Sequence, residues 1–199
     1  MYYLKVCGYK VVSLTDIFNF SLGQPSDSIL VAITFDDGFK SFIELAFPIL
    51  NKYNFPAAIF LVSSLVGKHN EWDCVDLKDT KEMMDWSDIE FLKKQGFEFG
   101  AHSRTHPSLP TLSDTELEAE VRGCKDDLQS ALDLPVDFFC YPYGDYDSRV
   151  IRSIKESGFK GAFTTKKGYI YSGDDPFEFK RMSIKLNTGP LAFTWKLLR

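Results

Sequence analysis

Two adjacent carboxylates, Asp36 and Asp37, close an uncharged run, Ile29–Phe35, and Gly38 follows at once. Far downstream, His102 and His106 stand in Ala-His-Ser-Arg-Thr-His-Pro, so two of the chain's three histidines share one pentapeptide. Carboxylates at the end of a buried strand are costly unless a cation or a substrate proton compensates them. Imidazoles four residues apart can reach one ion from a helical turn or a tight loop. Two imidazoles and one carboxylate leave coordination positions open for water and substrate, the layout of a catalytic rather than a structural site. Each piece also has an ordinary reading: a polar Asp-Gly turn, or histidines that are exposed or hydrogen-bonded. Their combination points to a metal.

The elements that must position these groups follow from periodicity. Ile29–Phe35 reads as a strand buried on both faces. Further strands are expected at Tyr9–Leu14, Ala57–Val62, Phe97–Ala101, Phe138–Tyr141, Gly161–Thr165 and Arg181–Leu186. Helices are expected at Thr15–Phe20 with Thr15 as cap, and over Phe39–Tyr53 with a kink or restart at Pro48. A Ser87-x-x-Glu90 capping box opens one more, Ser113-x-x-Glu116 opens a long one to about Leu132, and Asp147–Ser157 forms the next. Ser63–Asp85 is long, polar and irregular, more in keeping with a binding loop than with idle chain. Strands alternating with helices imply βα units and a largely parallel sheet, open or closed into a barrel. Asp36–Asp37, His102–His106 and Tyr141-Pro-Tyr-Gly144 each follow a strand, so such a fold brings all three to one rim.

The 199 residues suit one domain, 1–199, with 44% hydrophobic residues and a net charge of −5. That balance disfavours a nucleic-acid binder, and no apolar run reaches the length of a membrane span. Met1–Tyr9 has no signal-peptide pattern, so a cytoplasmic setting is the default expectation. The four cysteines, Cys7, Cys74, Cys124 and Cys140, form no CxxC pair and read as reduced thiols. The oligomeric state is not legible.

Thr-Phe-Asp-Asp-Gly (34–38), His-Ser-Arg-Thr-His (102–106) and Tyr-Pro-Tyr-Gly (141–144) resemble, in order and spacing, the motifs of polysaccharide deacetylases, the NodB-homology or carbohydrate esterase 4 family. The resemblance runs from about Tyr9 to Ser183 and takes in Trp86 and Gly158–Thr165. It implies an α/β fold, a deformed (β/α) barrel, that removes N-acetyl groups from the amino sugars of a glycan. Asp36 matches the family's general base, and Asp37, His102 and His106 its metal ligands. The implied cofactor is a divalent ion, zinc first, with cobalt, nickel or manganese as alternatives. Such an ion activates water and polarises the acetyl carbonyl. The backbone N–H of Tyr143 matches an oxyanion donor. Tyr141, Pro142 and Tyr143 match a sugar-facing segment, with packing at a strand end an equal alternative for Tyr141. Ser103 and Thr105 are candidates to orient the histidines.

The chain departs from the family pattern twice. The family often carries an Arg two residues before the Pro of the third motif, and here that position is Cys140. Arg181, at the start of a late strand, could supply the guanidinium, or simply face solvent. The family also uses a His as general acid, usually in a Leu-x-His motif near the C-terminus, and residues 187–199 contain none. One branch takes it from an N-terminal Tyr-His ahead of a strand like Gly8-Tyr-Lys-Val-Val12, and Tyr2–Gly8 reads as the last turns of such a helix, so a truncated start is expected. His69 is the spare histidine, in a loop that favours plain exposure. The expected activity is therefore metal-dependent deacetylation. The alternatives are a carbohydrate-binding relic without turnover, and an Fe(II) oxygenase built on the same donor set, against which the βα order and Asp36 argue.

Overall fold

The computed structural model describes residues 1–72, 80–185 and 187–197. Cys74 and Leu186 lie outside the described residues. Six parallel strands form one curled sheet in sequence order: β3 (Thr34–Phe35), β4 (Ala58–Leu61), β5 (Glu98–Ala101), β6 (Phe138–Cys140), β7 (Gly161–Lys167) and β8 (Phe179–Arg181). Two earlier strands, β1 (Lys10–Val11) and β2 (Leu30–Val31), pair only with each other, also in parallel. The expected deformed (β/α) barrel forms, as a curled sheet left unpaired between β3 and β8.

The run Ile29–Phe35 is not one strand buried on both faces. It changes partners after Val31: β2 pairs with β1, and β3 pairs with Ala58–Ile59 of β4. Each piece has a neighbour on one side only, so the segment is half-buried and Ile29 is exposed.

The helices cover the outer face: α3 (Phe47–Tyr53), α4 (Trp86–Lys94), α5 (Asp114–Leu132) and α6 (Ser148–Glu156). Alternation along the strands sorts the core. Ile59 and Leu61 of β4 and Phe139 of β6 pack outward with Leu92, Leu117, Val121 and Leu128 from the helices. Ala58, Phe60, Phe138 and Cys140 point the other way, into the concave interior, with Phe163 and Phe179. The period of two thus decides that the Cys140 side chain faces the inside of the barrel. Helix α2 (Leu14–Ser21) packs Leu14 and Phe18 against that interior. The Leu14 N–H donates to Glu98 Oε2 at 2.8 Å. Short helices α1 (Tyr2–Val6) and α7 (Pro190–Leu197) meet where the Tyr3 ring packs edge-on to Phe193.

Several element boundaries shift from their expected places. α2 is capped by Ser13, in a reciprocal box with Asp16, rather than by Thr15. α4 is capped by Asp85 with Asp88, two residues ahead of the expected Ser87 box, because the Ser87 hydroxyl itself donates to Asp85. The Phe39–Tyr53 helix starts with a π-helical turn at Phe42–Ala46 and restarts at Phe47, where Pro48 sits in the first turn and needs no N–H partner. The last strand ends at Arg181 rather than beginning there. Phe179 is the residue that buries, and residues 183–185 are exposed.

Candidate active site

Because the six strands are parallel, their C-terminal ends share one rim, and the expected groups meet there. Asp37 Oδ1 lies 3.4 Å from His102 Nε2 and 3.5 Å from His106 Nε2. A tetrahedral first-row ion with bonds near 2.1 Å holds its ligand atoms about 3.4 Å apart, so both Asp37–imidazole separations suit a zinc site, and all three ligand atoms lie within 4.8 Å of one another. The identity of the donors also fits, since two neutral imidazoles and one carboxylate suit a divalent first-row ion. Both histidines are buried and Asp37 is partly open to solvent.

His102 is held from behind. Its Nδ1 lies 2.7 Å from the backbone carbonyl of Cys140, which can only accept, so Nδ1 carries a proton and Nε2 faces Asp37. Burial opposes a charged His102. The Asp37 hydrogen bond and the Asp36 carboxylate outweigh it, so His102 holds a second proton, on Nε2, more firmly than usual, and a cation bound there would displace that proton. Ser103 Oγ accepts the His106 N–H at 2.9 Å and so braces the loop between the two rings. The Thr105 hydroxyl instead donates to Glu120 on α5. Trp72 stacks on His106 with ring centres 4.1 Å apart, and Tyr143 meets the same ring edge-on at 4.5 Å.

Asp36 sits beside the triad and is gripped by Arg181, whose two terminal nitrogens each lie 2.7 Å from a different carboxylate oxygen. Arg181 also donates to Thr34 Oγ1 on β3, to the Thr164 carbonyl on β7 and to Cys140 Sγ on β6. It therefore bridges the gap between β3 and β8, the unpaired edges of the curled sheet. The solvent-facing alternative for Arg181 does not hold. Burial pushes the Asp36 carboxyl up, but the hydrogen bonds and charge of Arg181 more than offset it and the net direction is down. Burial likewise keeps Cys140 a neutral thiol.

The Tyr141–Gly144 turn divides in two. Tyr141 is only 1% exposed, its hydroxyl donates to the Phe177 carbonyl at 2.9 Å, and its ring stacks on Tyr146. Its ring packs at the strand end with no face turned to solvent, and Pro142 is buried with it. Tyr143 is 47% exposed and stands over His106. His69 is exposed in the long loop, bridged to Glu82.

Backbone strain gathers here. Among the described residues six non-glycine residues have positive φ: Asp37, Asn54, Ser103, His106, Asp133 and Tyr143. Asn54 and Asp133 merely end helices. The other four lie in the three site loops, the distribution expected where geometry is held for function rather than for folding. Sequence reasoning did not single out Glu120 or this strain. Trp72 was visible only as an aromatic in a suspect loop.

The model of the family described as polysaccharide deacetylase matches residues 23–162, and the chain belongs to that family. It is 28% identical over 192 residues to the poly-beta-1,6-N-acetyl-D-glucosamine N-deacetylase of Staphylococcus aureus (strain MRSA252), covering 92% of this chain and 63% of that one. It is 24% identical over 171 residues to YxkH of Bacillus subtilis (strain 168), covering 85% of this chain and 56% of that protein. The chain thus spans less than two thirds of the length of these curated relatives. Among solved structures, Streptococcus pyogenes deacetylase PplD in complex with acetate superposes with a TM-score of 0.83 at 22% identity, over 97% of this chain and 81% of that one. IcaB from Ammonifex degensii superposes with 0.84 at 24% identity, over 98% and 84%. At those identities the superpositions establish the fold.

Proposed function

We propose that the chain is one domain that hydrolyses N-acetyl groups from a glycan of N-acetylated amino sugars, with a divalent cation as cofactor. The observation that carries this reading is the convergence of Asp37, His102 and His106, with Asp37 3.4 and 3.5 Å from the two imidazoles, beside an Asp36 that is paired with Arg181. A polymer of N-acetylglucosamine is the substrate to try first, since a relative matching 92% of this chain is named for one.

Asp37, His102 and His106 would hold the ion through one carboxylate oxygen and two Nε2 atoms. Bound there, a divalent ion would supply a nucleophilic water near neutral pH and polarise the acetyl carbonyl. Asp36, beside the triad and held by Arg181, is the group placed to accept a proton there. Its pairing with Arg181 keeps it ionised at neutral pH, at the cost of lower basicity. The Tyr143 backbone, in a left-handed conformation at the rim, is the candidate second donor to the oxyanion. Its exposed ring and that of Trp72 flank His106, forming an aromatic wall where a pyranose face could rest.

Incubation of the zinc-loaded protein with N-acetylglucosamine oligomers should release acetate, and Asp36→Asn should not. No acetate from wild type with zinc bound would favour the second reading, a glycan-binding domain without turnover. One observation favours that reading: two of the three histidines are committed to the triad and the third, His69, is exposed in a loop. Family membership argues against the oxygenase reading of the same donors.

No helix among the described residues is long and apolar enough to cross a membrane.

A further inference from the structure

The loop that carries both histidines is strained within itself, with φ of +61° at Ser103 and +65° at His106. Besides the Ser103 hydroxyl on the His106 N–H and the backbone N–H groups of Ser63 and Ser64, which donate to the Ser103 and Arg104 carbonyls, the side chains that hold it come from one face of α5. Glu120 Oε2 accepts the backbone N–H of Arg104 at 2.8 Å and that of Thr105 at 2.9 Å, while its Oε1 accepts the Thr105 hydroxyl at 2.7 Å. Seven residues further on, Asp127 Oδ2 accepts from Arg104 Nε at 2.9 Å and from the Ser63 hydroxyl at 3.1 Å, so the loop after β4 is tied in as well. Gly123 lies between the two acids. In a helix interior glycine costs about 1 kcal/mol relative to alanine. A Cβ at this position would stand 2.9 Å from Arg104 Cδ. Glu120, Gly123 and Asp127, spaced three and four residues apart, thus share the helix face that meets the loop.

We propose that Glu120 is a positioning residue: by gripping Arg104 and Thr105 it sets the loop so that the Nε2 atoms of His102 and His106 converge on Asp37. This rests on the reading of that triad as a cation site. Glu120 is not one of the three candidate ligands and would act only through the loop. α5 is anchored by Leu117, Val121, Cys124 and Leu128, all buried, so replacing Glu120 removes the grip and leaves the core intact.

The test is competitive zinc titration against a chromophoric chelator for wild type, Glu120→Gln, Glu120→Ala and Thr105→Val, with thermal melts of the metal-free proteins alongside. Zinc affinity should fall about 10- to 100-fold in Glu120→Ala, the scale seen when a group supporting a metal ligand is removed. The fall should be smaller in Glu120→Gln, whose amide oxygen still accepts the two N–H groups, and in Thr105→Val, which loses only the hydroxyl bond. Metal-free melting temperatures should stay close to wild type. Wild type that binds no zinc overturns the triad reading itself. Wild type that binds zinc while Glu120→Ala binds it within twofold as tightly, or loses only melting temperature, overturns the positioning role alone. Should Glu120→Ala fail to fold, an unchanged affinity in both Glu120→Gln and Thr105→Val overturns it equally.

Discussion

Arg181 holds Asp36 with both terminal nitrogens at 2.7 Å, from the far edge of a sheet whose two edges are otherwise unpaired. One side chain therefore both closes the barrel and fixes the ionisation of the group proposed as base. Removing it as Arg181→Ala leaves a partly buried carboxylate without a partner, a loss of about 3–5 kcal/mol by analogy with broken buried pairs. Turnover should fall about 10²- to 10⁴-fold, the range a positioned base contributes. Arg181→Lys keeps the charge without the two-pronged geometry and should lie between. Acetate release and thermal melts check both, and wild-type turnover in Arg181→Ala would show that the guanidinium is not needed to keep Asp36 placed and ionised.

Cys140 serves two neighbours by different atoms. Its carbonyl accepts from His102, and its sulfur lies 3.1 Å from an Arg181 nitrogen. Cys140→Ala retains the carbonyl, so zinc affinity should stay near wild type while turnover drops a few-fold through the looser guanidinium. A fall in zinc affinity comparable to that of a ligand substitution would contradict this division.

Among the three described cysteines the accessible thiol is a different one. Cys7 is exposed, whereas Cys124 and Cys140 are buried, and burial pushes the Cys124 thiol up to about 12. Alkylation of native protein near pH 8 followed by peptide mass spectrometry should label Cys7 within minutes and leave Cys124 and Cys140 intact until denaturant is added. Early labelling of Cys140 would mean that the barrel interior opens readily.

Much of the site could be read from the chain because its chemistry sits directly behind apolar strand segments. Asp36, Asp37, His102, His106 and Tyr143 each follow an apolar run that forms a strand, and parallel strands send such groups to one rim. The sequence did not reveal which tyrosine of Tyr141 and Tyr143 would face out. That depends on the left-handed turn at Tyr143 and on the partner Phe177, a long-range contact. Nor did it show that Ile29–Phe35 would split between two sheets, since periodicity records burial and not the identity of the neighbour. The caps at Ser13 and Asp85 were displaced because several Ser, Thr and Asp residues compete locally for the same N–H groups.

Glu98 gives a pH dependence away from the metal. Burial raises its carboxyl above the usual range despite the Leu14 N–H bond. A carboxyl raised on folding contributes stability that is fully present below its unfolded pKa and is lost as pH rises through its folded value. Glu98→Gln keeps an oxygen for Leu14 and does not titrate. It should melt above wild type at pH 7. The advantage should vanish below about pH 4, where wild-type Glu98 is protonated. A Glu98→Gln protein less stable at pH 7 than at pH 4, relative to wild type, would reverse the sign.

The triad itself makes a prediction independent of any substrate. A ligand that binds only the folded chain stabilises it by about 2.7 kcal/mol at one hundred times its dissociation constant. For a chain of this length that is a rise of about 5–10 °C in melting temperature. Saturating zinc should produce such a rise, and a chelator should abolish it. Asp37→Ala, which removes the one carboxylate 3.4 and 3.5 Å from the two imidazoles, should show little of it. Asp36→Ala should retain it, because Asp36 is proposed to act on protons and not on the ion. An equal zinc response in wild type and Asp37→Ala would place the cation elsewhere and separate the deacetylase fold from the chemistry assigned to its rim.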